Sequence, residues 1–179
     1  MSAYFEYTAP LLLILGLLAW GCRRAGILRS PLKSYDGRLL GMILAAASFL
    51  SFFPIQGLSV ADYLLSFNTN YSIGSIAFFG VLTWKGLTGK SPLTRLQIQE
   101  FSLWNLFIAL PLYASSLGFL SWDLYALGYR FSILFVITAV VTVFLVLYKH
   151  PLSFIFIAYI VAFHLRLLPS QNFFDYITD

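Results

Sequence analysis

Six apolar runs, separated by short polar connections, constrain this chain of 179 residues more than any other feature. They lie at 4–20, 39–53, 71–84, 101–120, 131–148 and 152–168. Only 10% of the residues are charged and 60% are hydrophobic, against about 25% charged in ordinary domains. A water-facing fold of this length could not cover its exterior with so little polar surface. The runs approach the ~20 residues that cross a hydrocarbon core as helix, and a backbone in lipid must bond internally, as a helix does. The sequence thus predicts an all-α, polytopic helical membrane protein with about six transmembrane helices, in a single domain spanning 1–179.

The charges predict an orientation. The connection from Cys22 to Arg38 holds five of the eleven Lys and Arg residues: Arg23, Arg24, Arg29, Lys33 and Arg38. Loops rich in Lys and Arg stay on the cytoplasmic side. Six spans put Lys85, Lys90, Arg95 and Lys149 on that same side. Arg130 and Arg166 fall outside, with Glu6, Asp62, Asp123, Asp175 and Asp179. Both termini are then outside. The arginines follow the first run instead of preceding it, so that run reads as an uncleaved span, not a signal peptide. The expected location is a bacterial cytoplasmic (inner) membrane. The expected partners are the lipid bilayer and other membrane subunits or a second copy of the chain. The net charge of +4 sits in loops, which is no nucleic-acid footprint.

Local signals divide the runs. Ser30-Pro31 and Asp36-Gly37 mark turns in the basic connection. Pro54 and Gly57 interrupt the second run, and 54–71 is the least regular stretch. One reading makes Val60 to Phe67 an amphipathic segment at an interface; another runs one tilted helix from Tyr63 to Trp84. Ser91-Pro92 reads as a helix start, with serine as N-cap and proline at the first helical position. Pro111 predicts a kink in that helix, and Pro169 ends the last run.

Few residues could carry chemistry. Asp62, Asn68 and Asn70 cluster near the start of the third run, where a polar group at membrane depth would mark a site or a pathway. In the plainer reading they sit in a wet loop and cap a helix. On the fourth run Gln97, Glu100, Asn105, Ser115 and Ser116 fall within an arc of roughly 160° at 100° per residue. That arc could line a cavity, or Glu100 could pair with a loop arginine at the inner surface while the serines aid packing. His164 lies on the face of the sixth run that carries Ser153. The single cysteine, Cys22, excludes a disulfide and any multi-cysteine zinc site, and HExxH, GxSxG and P-loop patterns are missing. No cofactor and no metal are expected. The expected function is a non-enzymatic accessory, assembly or packing subunit of a membrane complex. The alternatives are a small membrane carrier or substrate-binding transport subunit, and a membrane-embedded enzyme acting on a lipid.

Overall fold

A computed structural model describes residues 5–28, 37–129 and 133–179. The turns expected at Ser30-Pro31 and Asp36-Gly37, and Arg29, Lys33 and Arg130, lie wholly or partly outside the described residues. Among those residues the chain forms eight α-helices and one small hairpin. The elements are α1 (Thr8–Arg24), α2 (Gly37–Phe52), β1 (Pro54–Ile55), β2 (Leu58–Ser59), α3 (Val60–Phe67), α4 (Ile73–Thr88), α5 (Arg95–Ser116), α6 (Ile133–Leu147), α7 (Ser153–His164) and α8 (Phe174–Ile177). A 3-10 turn covers Tyr125–Gly128.

The helical class holds, but the membrane reading does not. The helices α1, α2, α4, α6 and α7 have 17, 16, 16, 15 and 12 residues. At 1.5 Å per residue they reach about 18–26 Å, short of the ~30 Å hydrocarbon core. Helix α5 has 22 residues, but Arg95, Gln97, Gln99, Glu100 and Asn105 dilute its apolar content. Among the described residues, no helix is long and apolar enough to cross a membrane. This corrects the six expected spans, the outside placement of both termini and the inner-membrane location. It equally corrects the membrane-subunit function and its carrier and lipid-enzyme alternatives.

Two causes act: the apolar runs are themselves only 14–20 residues long, and helix termination closes α5 and α7 before their runs end. An apolar run says where a helix can be buried, but not where it stops. Four helices end in the same motif, in which a residue with positive φ lets its own N–H and the next one reach back to the last carbonyls. After α1 the residue is Gly26 (φ 77), with Gly26 N–H bonded to Arg23 O and Ile27 N–H to Cys22 O. After α5 it is Gly118 (φ 80), with Phe119 N–H on Ala114 O. After α6 and α7 it is Lys149 (φ 52) and Arg166 (φ 51). Their followers, His150 and Leu167, bond to Leu145 O and Ala162 O. The last run is thus closed at His164, before Pro169 can act.

Side-chain caps set several starts. Ser59 and Asp62 form a reciprocal capping box at α3, and Thr94 and Gln97 form one at α5. The second box moves the start of α5 to Arg95, three residues beyond the expected Pro92. The helix continues through Pro111. Between Pro54 and Tyr71 the irregularity takes the form of a hairpin turned at Gln56 and Gly57 (φ 52 and 90), then the short helix α3. Residues 68–72 separate α3 from α4, which rules out a single helix from Tyr63 to Trp84.

The chain forms two compact units. The N-terminal unit comprises Ala3–Thr69 and Ile76–Pro92. Small residues let its helices approach closely. Ala19 is fully buried, and a Cβ on Gly86 would stand 2.9 Å from the Ala19 Cβ and 3.0 Å from the Trp20 nitrogen. Around this contact pack Leu15, Leu28, Ile43 and Ala47. Thr83 donates to Leu12 O at 2.8 Å. The Arg23 guanidinium donates to Gly86 O and Leu87 O, each at 2.8 Å, satisfying carbonyls at the C-terminal end of α4.

The C-terminal unit comprises Asn70–Ser75 and Leu93–Asp179. Its core is aromatic: Phe156, Tyr159, Phe173, Phe174 and Tyr176 are buried. Phe163 meets Phe173 and Tyr176 edge to face, with centroids 5.0 and 5.2 Å apart. Asn172, fully buried, holds the segment before α8. Its amide donates to Tyr125 O at 2.8 Å, and its carbonyl oxygen accepts from Phe174 N–H at 2.9 Å. The Asp179 carboxylate accepts from the Ser72 N–H and from the Ser72 and Ser75 hydroxyls, capping the start of α4.

Candidate functional site

The six residues singled out from sequence are divided between the units. Asp62 and Asn68 lie in the N-terminal unit; Asn70, Glu100, Asn105 and His164 lie in the C-terminal one. Asp62 accepts from the Ser59 hydroxyl at 2.6 Å, the Ser59 N–H at 2.8 Å and the Tyr7 hydroxyl at 2.8 Å. These donors, the Ser59 hydroxyl first, hold its carboxyl below the usual carboxylate range. A carboxylate so committed caps α3 and ties it to the start of α1. Asn68 is the C-cap of α3. Asn70 is half-buried ahead of α4.

In the C-terminal unit Glu100 faces His150, with 3.3 Å between Oε2 and Nε2. The partner is thus a histidine and not the loop arginine the sequence suggested. Asn105 donates to Phe101 O of its own helix at 2.8 Å. It also borders the Tyr159 hydroxyl, which is buried beside Gly74. Burial is the main cause that raises the Tyr159 pKa. Ser115 and Ser116 bond to Trp122 O and Leu112 O. His164 is exposed and lines one cleft, while Glu100 lines another. Among the described residues no three His, Cys, Asp or Glu side chains gather as a metal site would need.

Sequence reasoning passed over the outward face of α5. Leu96, Leu103, Leu110 and Leu117 recur at every seventh position, with Leu106 and Tyr113 three residues after Leu103 and Leu110. This is the spacing of a coiled-coil seam. The five leucines are 57–72% exposed. The opposite face, with Phe101, Ile108 and Leu112, is buried in the unit's own core. Helix α6 repeats the pattern. Ile133, Val140 and Leu147 are seven apart, and Val136, Ile137, Val143 and Phe144 fill the third and fourth places. All seven are exposed, while Leu134, Thr138 and Thr142 face inward. The two helices flank an apolar groove of about 180 Å³ lined by Phe107, Pro111, Leu134 and Ile137, among others. The N-terminal unit also exposes large apolar side chains, including Leu17, Met42, Leu44 and Phe49. The sequence signal that marks this face is the heptad spacing itself.

No known protein family, no characterised protein and no solved structure matches this chain.

Proposed function

We propose that this protein is a non-catalytic, self-assembling helical module, whose α5–α6 face docks onto the same face of a second copy. The observation that supports it is the exposed seven-residue leucine seam of α5. Exposed apolar patches of this extent mark interaction surfaces. A two-fold interface must be self-complementary, and a seam with one repeat and no charge at its contact positions meets that need. The single polar contact position, Gln99, sits where a polar residue can fix register.

The size of the surface is adequate. Fully burying a large apolar side chain is worth about 1.5–3 kcal/mol at ~25 cal/mol/Å², or roughly 60–120 Å². The exposed fractions of the six α5 and seven α6 seam residues then sum to on the order of 700 Å² per copy. A standard interface takes about 800 Å² from each partner.

Cysteine cross-linking tests the reading. With α5 seated on α5 of the second copy, Leu106, at the middle of the 96–117 seam, meets its own counterpart. With Cys22→Ser removing the native thiol, Leu106→Cys is expected to form a disulfide dimer under mild oxidation. Gln171→Cys, exposed but off the seam, is expected to stay largely monomeric. Equal cross-linking of the two, no cross-link at Leu106→Cys, or its loss on adding phosphatidylcholine vesicles to which the chain binds, would overturn the proposal.

A further inference from the structure

The cleft beside His164 carries a second, independent inference. We infer that it is a binding site for an amphipathic anion: a carboxylate or phosphate head on an apolar or aromatic body. The cleft has a volume of about 640 Å³, within the ~300–1,000 Å³ typical of small-molecule sites. Its apolar side is formed by Phe135, Ile160 and Phe163; its polar rim is formed by His164, Arg166, Ser170 and Gln171. Among the described residues that line the cleft none is acidic, and Arg166 brings a cationic side chain to it.

One side of the rim is fixed before any ligand arrives. Phe163 is held between Phe173 and Tyr176 by the edge-to-face contacts described above. The Tyr176 hydroxyl lies 3.0 Å from Leu168 O and 3.1 Å from Ser170 O, and Leu168 N–H donates to it at 3.3 Å. Asn172 N–H donates to the Ser170 hydroxyl oxygen at 2.9 Å. The loop that carries Ser170 and Gln171 is thus tied to α8, and that side of the rim needs little ordering on binding.

Arg166 is the informative residue. Its φ of 51° belongs to the left-handed region, which glycine enters freely and an L side chain enters at a cost of about 1 kcal/mol. Glycine would close α7 without that cost; Arg166 closes it and also places a guanidinium-bearing side chain at the cleft. A guanidinium matches the two oxygens of a carboxylate or phosphate as a fork, and Phe135 and Phe163 provide an apolar wall for the rest of the ligand.

The test uses calorimetric titration of the full chain with decanoate, decyl phosphate, decanol and inorganic phosphate, the amphiphiles kept below their micelle concentrations. Wild-type protein is expected to bind at least one of the anionic amphiphiles about ten-fold more tightly than decanol, a difference of one decade in Kd. The preferred anion identifies the head group. Inorganic phosphate is expected to bind more weakly than decyl phosphate, since it lacks the body. Arg166→Gly is expected to abolish the preference over decanol while leaving the thermal midpoint at or above that of wild type. Arg166→Gln, which keeps the side-chain length and removes the charge, makes the same test should the glycine variant fail to fold. Ile160→Trp, which fills the cleft, is expected to weaken all three amphiphiles. Equal binding of decanol and the anions, tighter binding of inorganic phosphate than of decyl phosphate, an anion preference that survives in the Arg166 variants, or unchanged binding in Ile160→Trp would overturn the inference. None of these outcomes depends on α5 pairing.

Discussion

Gly128 and Asn172 should behave as one unit, and the cost of separating them can be worked from the structure. A Cβ on Gly128 would lie 1.6 Å from Asn172 Oδ1 and 2.7 Å from Phe174 Cδ2. Nothing can share that space, so Gly128→Ala must expel the Asn172 amide. The amide is fully buried and makes two hydrogen bonds, to Tyr125 O and from Phe174 N–H. Each buried group left unpaired costs about 1–3 kcal/mol, so Gly128→Ala is expected to destabilise by roughly 2–5 kcal/mol. Asn172→Ala strands the same backbone groups and should cost a similar amount. In the Asn172→Ala background only the Phe174 ring, with Cδ2 at 2.7 Å, still crowds the new methyl, and a shift of that ring should hold the cost of Gly128→Ala to about 1 kcal/mol. The coupling in a double-mutant cycle is thus about 1–4 kcal/mol. Urea unfolding of the four proteins, followed by circular dichroism, measures it. Additive effects, or a Gly128→Ala cost below about 0.5 kcal/mol, would refute the reasoning.

Two further outcomes follow from local geometry. Lys149 holds a left-handed conformation at the end of α6, so Lys149→Gly should stabilise by about 1 kcal/mol, a rise of roughly 2–4 °C in melting temperature. A midpoint that stays or falls would contradict the termination account. The Asp62 pKa is depressed in the folded chain, so its contribution is present above the unfolded carboxylate value, near 3.9. It is lost as pH falls through the folded value. Asp62→Asn should therefore lower the melting temperature at pH 7 and flatten its fall below about pH 4. An acid limb as steep as that of wild type would exclude Asp62 as its source.

Much of the helical layout could be read from the chain, because its signals are local. Ser59-x-x-Asp62 and Thr94-x-x-Gln97 are capping boxes visible in sequence, and Gly26 and Gly118 are visible stops. Helix lengths could not be read, because α6 and α7 end on Lys149 and Arg166, which carry no sequence mark of a left-handed turn. The stop at Arg166 closes α7 at His164, four residues before its apolar run ends at 168. The charge asymmetry misled for a related reason. Arg23 has local work in capping α4, Glu100 faces His150, and Lys149 and Arg166 close helices, so their placement needs no bilayer. The pairing of Asn172 with Tyr125 joins residues 47 apart, and no local pattern foretells it. Of the candidate residues, Asp62 was findable as a cap from Ser59, and His164 as a cleft residue only once Arg166 and Ser170 were placed beside it.

Sedimentation equilibrium of the full chain tests the central claim most directly. The chain has a mass of 20.2 kDa. The account predicts a species of twice that mass that dissociates on dilution. It also predicts that Leu103→Glu with Leu110→Glu, both exposed and so cheap for the fold, will shift the mass to that of one chain. A wild-type protein with the mass of one chain at every concentration, or a double variant that remains a dimer, would contradict it.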